Sequence, residues 1–242
     1  MSWFAVSKRR FAITIGSFIS LLTLLYCVIP TLWIRCCSNY IEKRMNKKGI
    51  ALTFDDGPNE RYTVQLLDLL KRYDIRATFF VVGEKVDKHP HIIKRMHDEG
   101  HNIGIHHYKH VSSWRLLPNQ LQAELDQTAE AIERVTGERP ELYRPPWGKF
   151  NLATIKVAKP YRIIMWSHIF GDWKILNCEE NLLQALRQAP ANGSVLLLHD
   201  DGANPAADDT APEHMLQKLE IYLDESVKKG IQFIPIESEL QT

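Results

Sequence analysis

The chain divides by its pattern of apolar and polar positions. From Phe11 to Ile34, 24 residues pass without a charge, rich in Ile, Leu, Phe, Val and Trp. As a helix this run is ~36 Å long, enough to cross a hydrocarbon core of ~30 Å. Lys8, Arg9 and Arg10 precede it and Arg35 closes it. Its end, Pro30-Thr31-Leu32-Trp33, has no small-x-small cleavage site, and bulky Tyr26 before Cys27 does not suit lipoprotein processing. The segment therefore reads as an uncleaved anchor rather than a signal peptide, whose apolar region spans only ~7–15 residues. The expected layout is a short basic tail (1–10), a transmembrane anchor (11–34), a basic juxtamembrane segment (35–48) and one domain (49–242).

Beyond residue 48 short apolar runs alternate with helical patterns. Ile50–Phe54, Ala77–Val82, Ile163–Trp166, Val195–Leu198 and Ile231–Ile236 predict buried strands. Thr63–Tyr73, Pro90–Glu99, Asn119–Thr136, Cys178–Gln188 and Pro212–Lys229 predict helices. The third is the clearest: Asn119 with Gln122 suits a capping box, Leu121, Leu125, Ile132 and Val135 form an apolar face, and Gly137 ends it. Such alternation predicts an α/β domain with a parallel sheet, open or closed as a barrel. Catalytic residues then belong at the C-terminal ends of strands.

Charge sharpens the division. The whole chain carries 30 Lys+Arg against 29 Asp+Glu, which excludes a strongly basic nucleic-acid binder. Residues 1–48 hold eight basic residues and one acidic, so the remainder is net acidic, and all 10 histidines lie there. Basic residues flank the apolar run on both sides, so the positive-inside rule does not orient it. With 45% hydrophobic and 24% charged residues the composition is that of a protein with a packed core. Cys27, Cys36 and Cys37 belong to the anchor region, leaving Cys178 alone in the domain, so no disulfide framework is expected. Cys36-Cys37 read as unmodified thiols.

Candidate chemistry lies where strands end. Ile50–Phe54 runs into Asp55-Asp56-Gly57-Pro58. Two adjacent carboxylates there repel under partial desolvation, which a bound cation relieves; the plain alternative is a solvated Asp-Gly turn. After Asn102–Ile105 come His106, His107 and His110, of which His106 and His110 at i, i+4 suit one transition-metal cation together with a carboxylate. Arg144-Pro145-Pro146-Trp147-Gly148 is a stiff segment whose Arg can clamp a carboxylate. Gly171-Asp172-Trp173 follows another strand, and Ser194–Asp200 delivers His199.

These five segments, in this order, resemble the polysaccharide deacetylases with a NodB-homology domain, carbohydrate esterase family 4. Thr53-Phe54-Asp55-Asp56-Gly57-Pro58 matches the first family motif in full. His106-x-x-x-His110 matches the second, Arg144–Gly148 the third, Asp172-Trp173 the fourth and Leu197-Leu198-His199 the fifth. The resemblance implies a distorted (β/α) barrel behind one N-terminal transmembrane helix, and a metal-dependent N-deacetylase. Asp56, His106 and His110 would bind a divalent cation, usually zinc, with cobalt, nickel or manganese as alternatives. Asp55 would be the general base for a metal-activated water, held by Arg144. His199, tuned by Asp172, would be the general acid. Trp147 would offer its backbone N–H to the oxyanion, while Trp173 and Leu197 or Leu198 would line the acetyl pocket. Two positions depart from the family pattern: His107 stands in place of a Ser or Thr, and Ile169 in place of an earlier Asp.

The expected function is removal of N-acetyl groups from envelope glycans, whether peptidoglycan, chitooligosaccharide-like chains or exopolysaccharide. The expected partners are the glycan and membrane lipid, with no nucleic acid. An external substrate places the catalytic domain on the extracytoplasmic side of the cell membrane. The rival readings are a metal-dependent amidase acting on a non-sugar amide and a catalytically inactive glycan-binding protein. An intact Asp55 and His199 argue against the latter. Residues 201–212 are expected to form a loop at the active-site mouth.

Overall fold

The computed structural model describes residues 3–236; Met1, Ser2 and residues 237–242 lie outside it, as do the side chains of residues 3–10 and Ala12. The expected basic tail thus falls outside the described side chains. Eight parallel strands form one curled sheet: β1 (Ile41–Glu42), β2 (Gly49–Asp55), β3 (Thr78–Val81), β4 (Asn102–Ile105), β5 (Leu142–Tyr143), β6 (Arg162–Ile164), β7 (His168–Ile169) and β8 (Asn192–His199). Their order is β1-β6-β5-β4-β3-β2-β8-β7, so the barrel is open between β1 and β7. This is the distorted (β/α) barrel that the motifs implied.

Alternation of side chains along each strand sorts residues into two layers. Ala51, Phe80, Leu142, Ile164 and Val195 face one another inside the curl, together with Ile236. Ile50, Leu52, Phe54, Phe79, Ile105, Tyr143, Leu196 and Leu198 face the helices and join the main core. Central β2 is buried at every position, as a strand covered on both faces must be. Continuing the inner parity past each strand end places Asp55, Arg144 and His199 at one end of the curl.

Ten α-helices accompany the sheet among the described residues. Helix α1 (Trp3–Thr23) continues through a wide turn (Leu24–Val28) into α2 (Ile29–Cys37). Then come α3 (Tyr62–Arg72), α4 (Gly83–Lys88), α5 (Pro90–Asp98), α6 (Pro118–Thr136), α7 (Thr154–Val157), α8 (Ile175–Asn177), α9 (Leu183–Gln188) and α10 (Ala211–Lys228). The expected helix over 178–188 is another wide turn, Cys178–Leu182, running on into α9, with α8 just ahead of it. The cap of α6 differs from the expected one. Pro118, which lacks an N–H, opens the first turn, and the Gln120 side chain accepts the Leu117 N–H at 2.8 Å. Gln122 instead bonds Asp126. Gly137 ends α6 at φ 78°, the left-handed position a glycine favours.

Two further expectations are corrected. Ile231–Ile236 is not a strand of the sheet; it makes an isolated parallel bridge, Phe233 to Ile50. On that side β3 pairs β2 only from Thr53 to Asp55, so 232–234 bonds the free edge at Ile50 alone, and Ile236 joins the inner apolar cluster. The sheet also takes in Ile41–Glu42, within the stretch expected as a juxtamembrane segment. Glu42 is paired with Arg162 on β6 by 2.9 and 2.7 Å contacts. Nearby Met45 donates its N–H to Gly193 at 2.8 Å. The surrounding lysines and arginines hid a strand only two residues long.

Candidate active site

At the C-terminal end of β2 the chain turns through Asp56, whose φ is 77°. His107, His110 and Trp147 also adopt positive φ, at 64°, 52° and 56°. Such backbone is sparsely populated for side-chain-bearing residues and persists where surrounding structure holds it. Asp56, His110 and Trp147 line one cavity of about 280 Å³. Its lining includes Asp55, Asp56, His106, His110, Trp147 and His199. A larger cavity of about 860 Å³ near His97, Asn102, Glu141 and Tyr161 lies at the start of β4 and β5, away from the motifs, so size alone does not choose the site.

Asp56, His106 and His110 present one ligand atom each within 4.8 Å of one another. Asp56 Oδ1 stands 3.0 Å from His110 Nε2 and 3.3 Å from His106 Nε2. His106 donates from Nδ1 to the Arg144 carbonyl at 2.7 Å, which leaves its Nε2 lone pair aimed at the cluster. Burial disfavours the Asp56 carboxylate, yet the His106 and His110 imidazoles beside it outweigh that and hold its pKa well below the ordinary range. Two imidazoles and a carboxylate, oriented from behind and concentrated on one point, fit a divalent cation with coordination positions to spare.

Asp55 sits beside this triad and is held from the other side. Arg144, wholly buried, donates from one guanidinium nitrogen to Asp55 at 2.7 Å and to the Thr53 hydroxyl at 2.8 Å. Its remaining donors reach the Ile164 and Met165 carbonyls at 2.9 and 3.1 Å. The guanidinium also lies over Phe80, 4.1 Å from the ring centre. The guanidinium is thereby fixed, and it holds Asp55 Oδ1.

Across the cavity His199 donates from Nδ1 to Asp172 at 3.0 Å, and its backbone N–H bonds the other carboxylate oxygen at 2.7 Å. Burial opposes charge on this imidazole, but Asp172, with Asp56 and Asp55, prevails and raises its pKa to about 10. Trp173 meets the His199 ring edge-on at 5.4 Å, and Trp147 lies 4.5 Å from the His110 ring. Both tryptophans and Leu197 line the cavity. Leu198 does not: it faces the main core with Phe54, because adjacent strand residues point to opposite faces.

His107 is turned away from the cation site. Its Nδ1 donates to the Val111 carbonyl at 2.6 Å, its Nε2 accepts from the Tyr143 hydroxyl at 2.8 Å, and its ring stacks on Tyr143. Burial, the chief cause, lowers its pKa to about 3, so it is neutral. Ile169 lines the cavity as an apolar wall where the family pattern has an Asp.

Sequence reasoning missed several participants. Trp166, two residues past Ile164 and so on the inner parity of β6, also lines the cavity. From the 201–212 loop Asn204, Ala206 and Ala207 close the mouth; Asp208 secures that loop to Lys174 at 2.8 Å and to the Ile175 N–H at 3.0 Å. Lys85 bonds the Asp56 carbonyl and the Asp201 carboxylate, both at 2.8 Å. No motif marks Lys85, which sits on an unremarked short helix. A Cβ on Gly57 would come within 2.3 Å of the Asp200 carboxylate, which is why the first motif needs glycine there.

Fold and site together define a hydrolase that works with a divalent cation at the open end of a curled parallel barrel. The polysaccharide deacetylase family profile matches residues 42–165, about half of the chain. A peptidoglycan-N-acetylglucosamine deacetylase of Bacillus cereus is 32% identical over 215 residues, covering 88% of this chain and 76% of that one. The peptidoglycan-N-acetylmuramic acid deacetylase PdaA of Bacillus subtilis is 40% identical over 159 residues, 63% of this chain and 60% of its own length. Among solved structures, the Bc1960 peptidoglycan N-acetylglucosamine deacetylase superposes with a TM-score of 0.71 at 31% identity, covering 84% of this chain and 92% of that one. The chain belongs to the polysaccharide deacetylase family.

Proposed function

We propose that the protein removes N-acetyl groups from cell-envelope glycans, by hydrolysis of the amide at a sugar nitrogen. The observation that carries this reading is the convergence of an Asp-His-His cluster, an Arg-held carboxylate and an Asp-held imidazole on one cavity. A divalent cation bound by Asp56, His106 and His110 supplies Lewis-acid polarisation of the carbonyl and lowers the pKa of water; zinc suits this donor set. Asp55, oriented by Arg144, accepts the proton of the attacking water as its oxygen adds to the carbonyl carbon. His199 donates from Nε2 to the amine nitrogen as the C–N bond breaks, releasing acetate and the free amino sugar. Asp172 positions the imidazole and keeps it charged until that step. Trp147 borders the oxyanion side, and Trp173, Leu197, Ile169 and Trp166 form an apolar wall against the acetyl methyl.

The uncharged run of residues 11–34 supports a single-pass anchor in the cell membrane, with the domain on the extracytoplasmic side where envelope glycans lie. Its length and apolar character favour this reading: one helix covering Ile13–Cys37 is long and apolar enough to cross a bilayer. Two measurements test the whole. Purified full-length protein should release acetate from N-acetylated peptidoglycan fragments, lose that activity to a chelator and regain it with zinc; no release with any divalent cation refutes the enzyme. Protease added to intact cells should digest the domain; protection refutes the orientation.

A further inference from the structure

The apolar helix does not leave the domain through a flexible linker. Pro30 has no N–H, so the Tyr26 carbonyl four residues earlier lacks its helical partner. Leu152 fills that gap with its own N–H at 2.8 Å. The helix widens at the same place, the Ile29 N–H reaching back five residues to Leu24. Thr31, buried, donates its hydroxyl to the Phe150 carbonyl at 2.6 Å and accepts from the Phe150 N–H and the Trp114 indole at 3.0 and 2.9 Å. The Tyr26 hydroxyl reaches the Leu116 carbonyl at 3.1 Å, and Ile34 is buried in the main core. Residues 114–116 and 150–152 belong to the loops that follow β4 and β5, the end of the sheet that carries the active site. The helix therefore emerges from the domain at the active-site end.

Its length then limits how far the domain can stand from a bilayer. From Tyr26 onward one side of the helix, with Thr31 and Ile34, packs on the domain, while Ile29, Leu32 and Trp33 stay exposed. Clear of the domain altogether are Phe11 to Leu25, 15 residues, or about 22 Å of helix against a hydrocarbon core of ~30 Å. A span this short draws whatever is rigidly attached to it toward the headgroups. The surface at that end matches such a position. Leu117 and Leu152, on the loops after β4 and β5, and Leu176, on short α8 after β7, are 60%, 55% and 63% exposed. Lys109 and Arg115 are exposed beside them, and Lys149 lies 4.8 Å over the Trp114 ring. Exposed leucines, interfacial tryptophan and basic side chains together make a surface suited to an anionic bilayer.

We infer that the active-site mouth faces the membrane in which the helix is anchored, and that the substrate is an N-acetylated sugar carried on a lipid of that membrane. This rests on the reading of the chain as an anchored deacetylase. A sugar on a lipid diphosphate arrives at the mouth from the surface the mouth faces, whereas a strand of the outer wall must enter the narrow gap between domain and bilayer.

The test uses the full chain in phosphatidylcholine–phosphatidylglycerol vesicles with zinc. N-acetylglucosaminyl diphosphoryl polyprenol is placed either in the same vesicles or in separate ones, and acetate release is compared with that from soluble chitotetraose. Confinement to one membrane should favour the same-vesicle glycolipid by ~10²-fold or more. The triple variant Leu117→Glu, Leu152→Glu, Leu176→Glu should slow glycolipid turnover by about ten-fold, through lost apolar contact with the interface, while chitotetraose turnover stays within about two-fold. Equal rates from same and separate vesicles overturn the inference. So does an unaltered glycolipid rate in the variant, or turnover of peptidoglycan sacculi with the glycolipid left intact. No acetate from any of these substrates refutes the deacetylase reading instead, and failure of the chain to float with the vesicles refutes the anchor; either takes the inference down with it.

Discussion

Two Asp-Asp pairs end two neighbouring strands, and they do opposite things. Asp55-Asp56 follows β2 and Asp200-Asp201 follows β8, with Asp200 donating its N–H to the Asp55 carbonyl at 3.3 Å. All four carboxylates are buried. The first pair is surrounded by cations and donors: Arg144 on Asp55, His106 and His110 on Asp56. The second pair divides its roles. Asp201 takes Lys85, while Asp200 has only the Thr63 hydroxyl, and one of its oxygens has no partner. Burial first, then repulsion from Asp201, raises the Asp200 pKa to about 7. A dipeptide thus has no intrinsic role; the charges that tertiary packing sets around it decide whether a carboxylate is held charged, as Asp56 is, or pushed toward its neutral form, as Asp200 is.

Substitutions can break this contrast, and the largest effect belongs to Asp56. Asp56→Ala should abolish measurable cation binding, read by calorimetry, and turnover with it. For Asp55→Asn, kcat should fall ~10²–10⁴-fold, the scale of a lost general base, with cation affinity and Tm near wild type; near-normal turnover would unseat Asp55 as base. In Asp201→Asn, Lys85 loses its counter-charge and the Asp56 carbonyl its firm support. Cation affinity should weaken by roughly 10–100-fold, as outer supports of metal ligands do, with little change in kcat at saturating cation.

Asp172→Asn extends the comparison to a third carboxylate. It should bring the His199 pKa down from its raised value and move the alkaline limb of the pH–rate profile to lower pH, because the charged imidazole is then lost sooner. An unmoved limb assigns it to another group. Asp200→Asn should have the smallest effect on turnover and a distinct effect on stability. A carboxyl with a folded pKa near 7 against ~3.9 unfolded stabilises the fold fully below about pH 4. That contribution is lost as pH rises through 7. The Tm of wild type should therefore decline relative to Asp200→Asn between pH 5 and 8; parallel curves would show that Asp200 titrates normally.

How much of this was legible without coordinates differs by element. The strand cores, the long helices and the five motifs could be read directly, since each depends on residues close in sequence. The alternation that separates Leu197 from Leu198 was legible in principle, but choosing which one faces the cavity required knowing which face of β8 is inside the curl. His107 is the opposite case. It stands between two candidate ligands in place of a Ser or Thr, and the Val111 carbonyl and Tyr143 hydroxyl turn it away from them. Lys85 and Trp166 left no pattern at all, because a lysine on a short helix and a tryptophan after a strand are ordinary in either role.

The chain's own chemistry determined which groups are available: a carboxylate pair at a strand end, spaced histidines, a buried-type arginine segment and an apolar run at the N-terminus. These follow from local periodicity and residue type. Tertiary structure decided what each group does, because pKa, ligand geometry and cavity lining depend on neighbours tens of residues away. It also decided what the end of the apolar run touches. By hydropathy the run continues to Ile34, and within it Thr31 finds its hydrogen-bond partners at Phe150 and Trp114, while Ile29, Leu32 and Trp33 stay exposed.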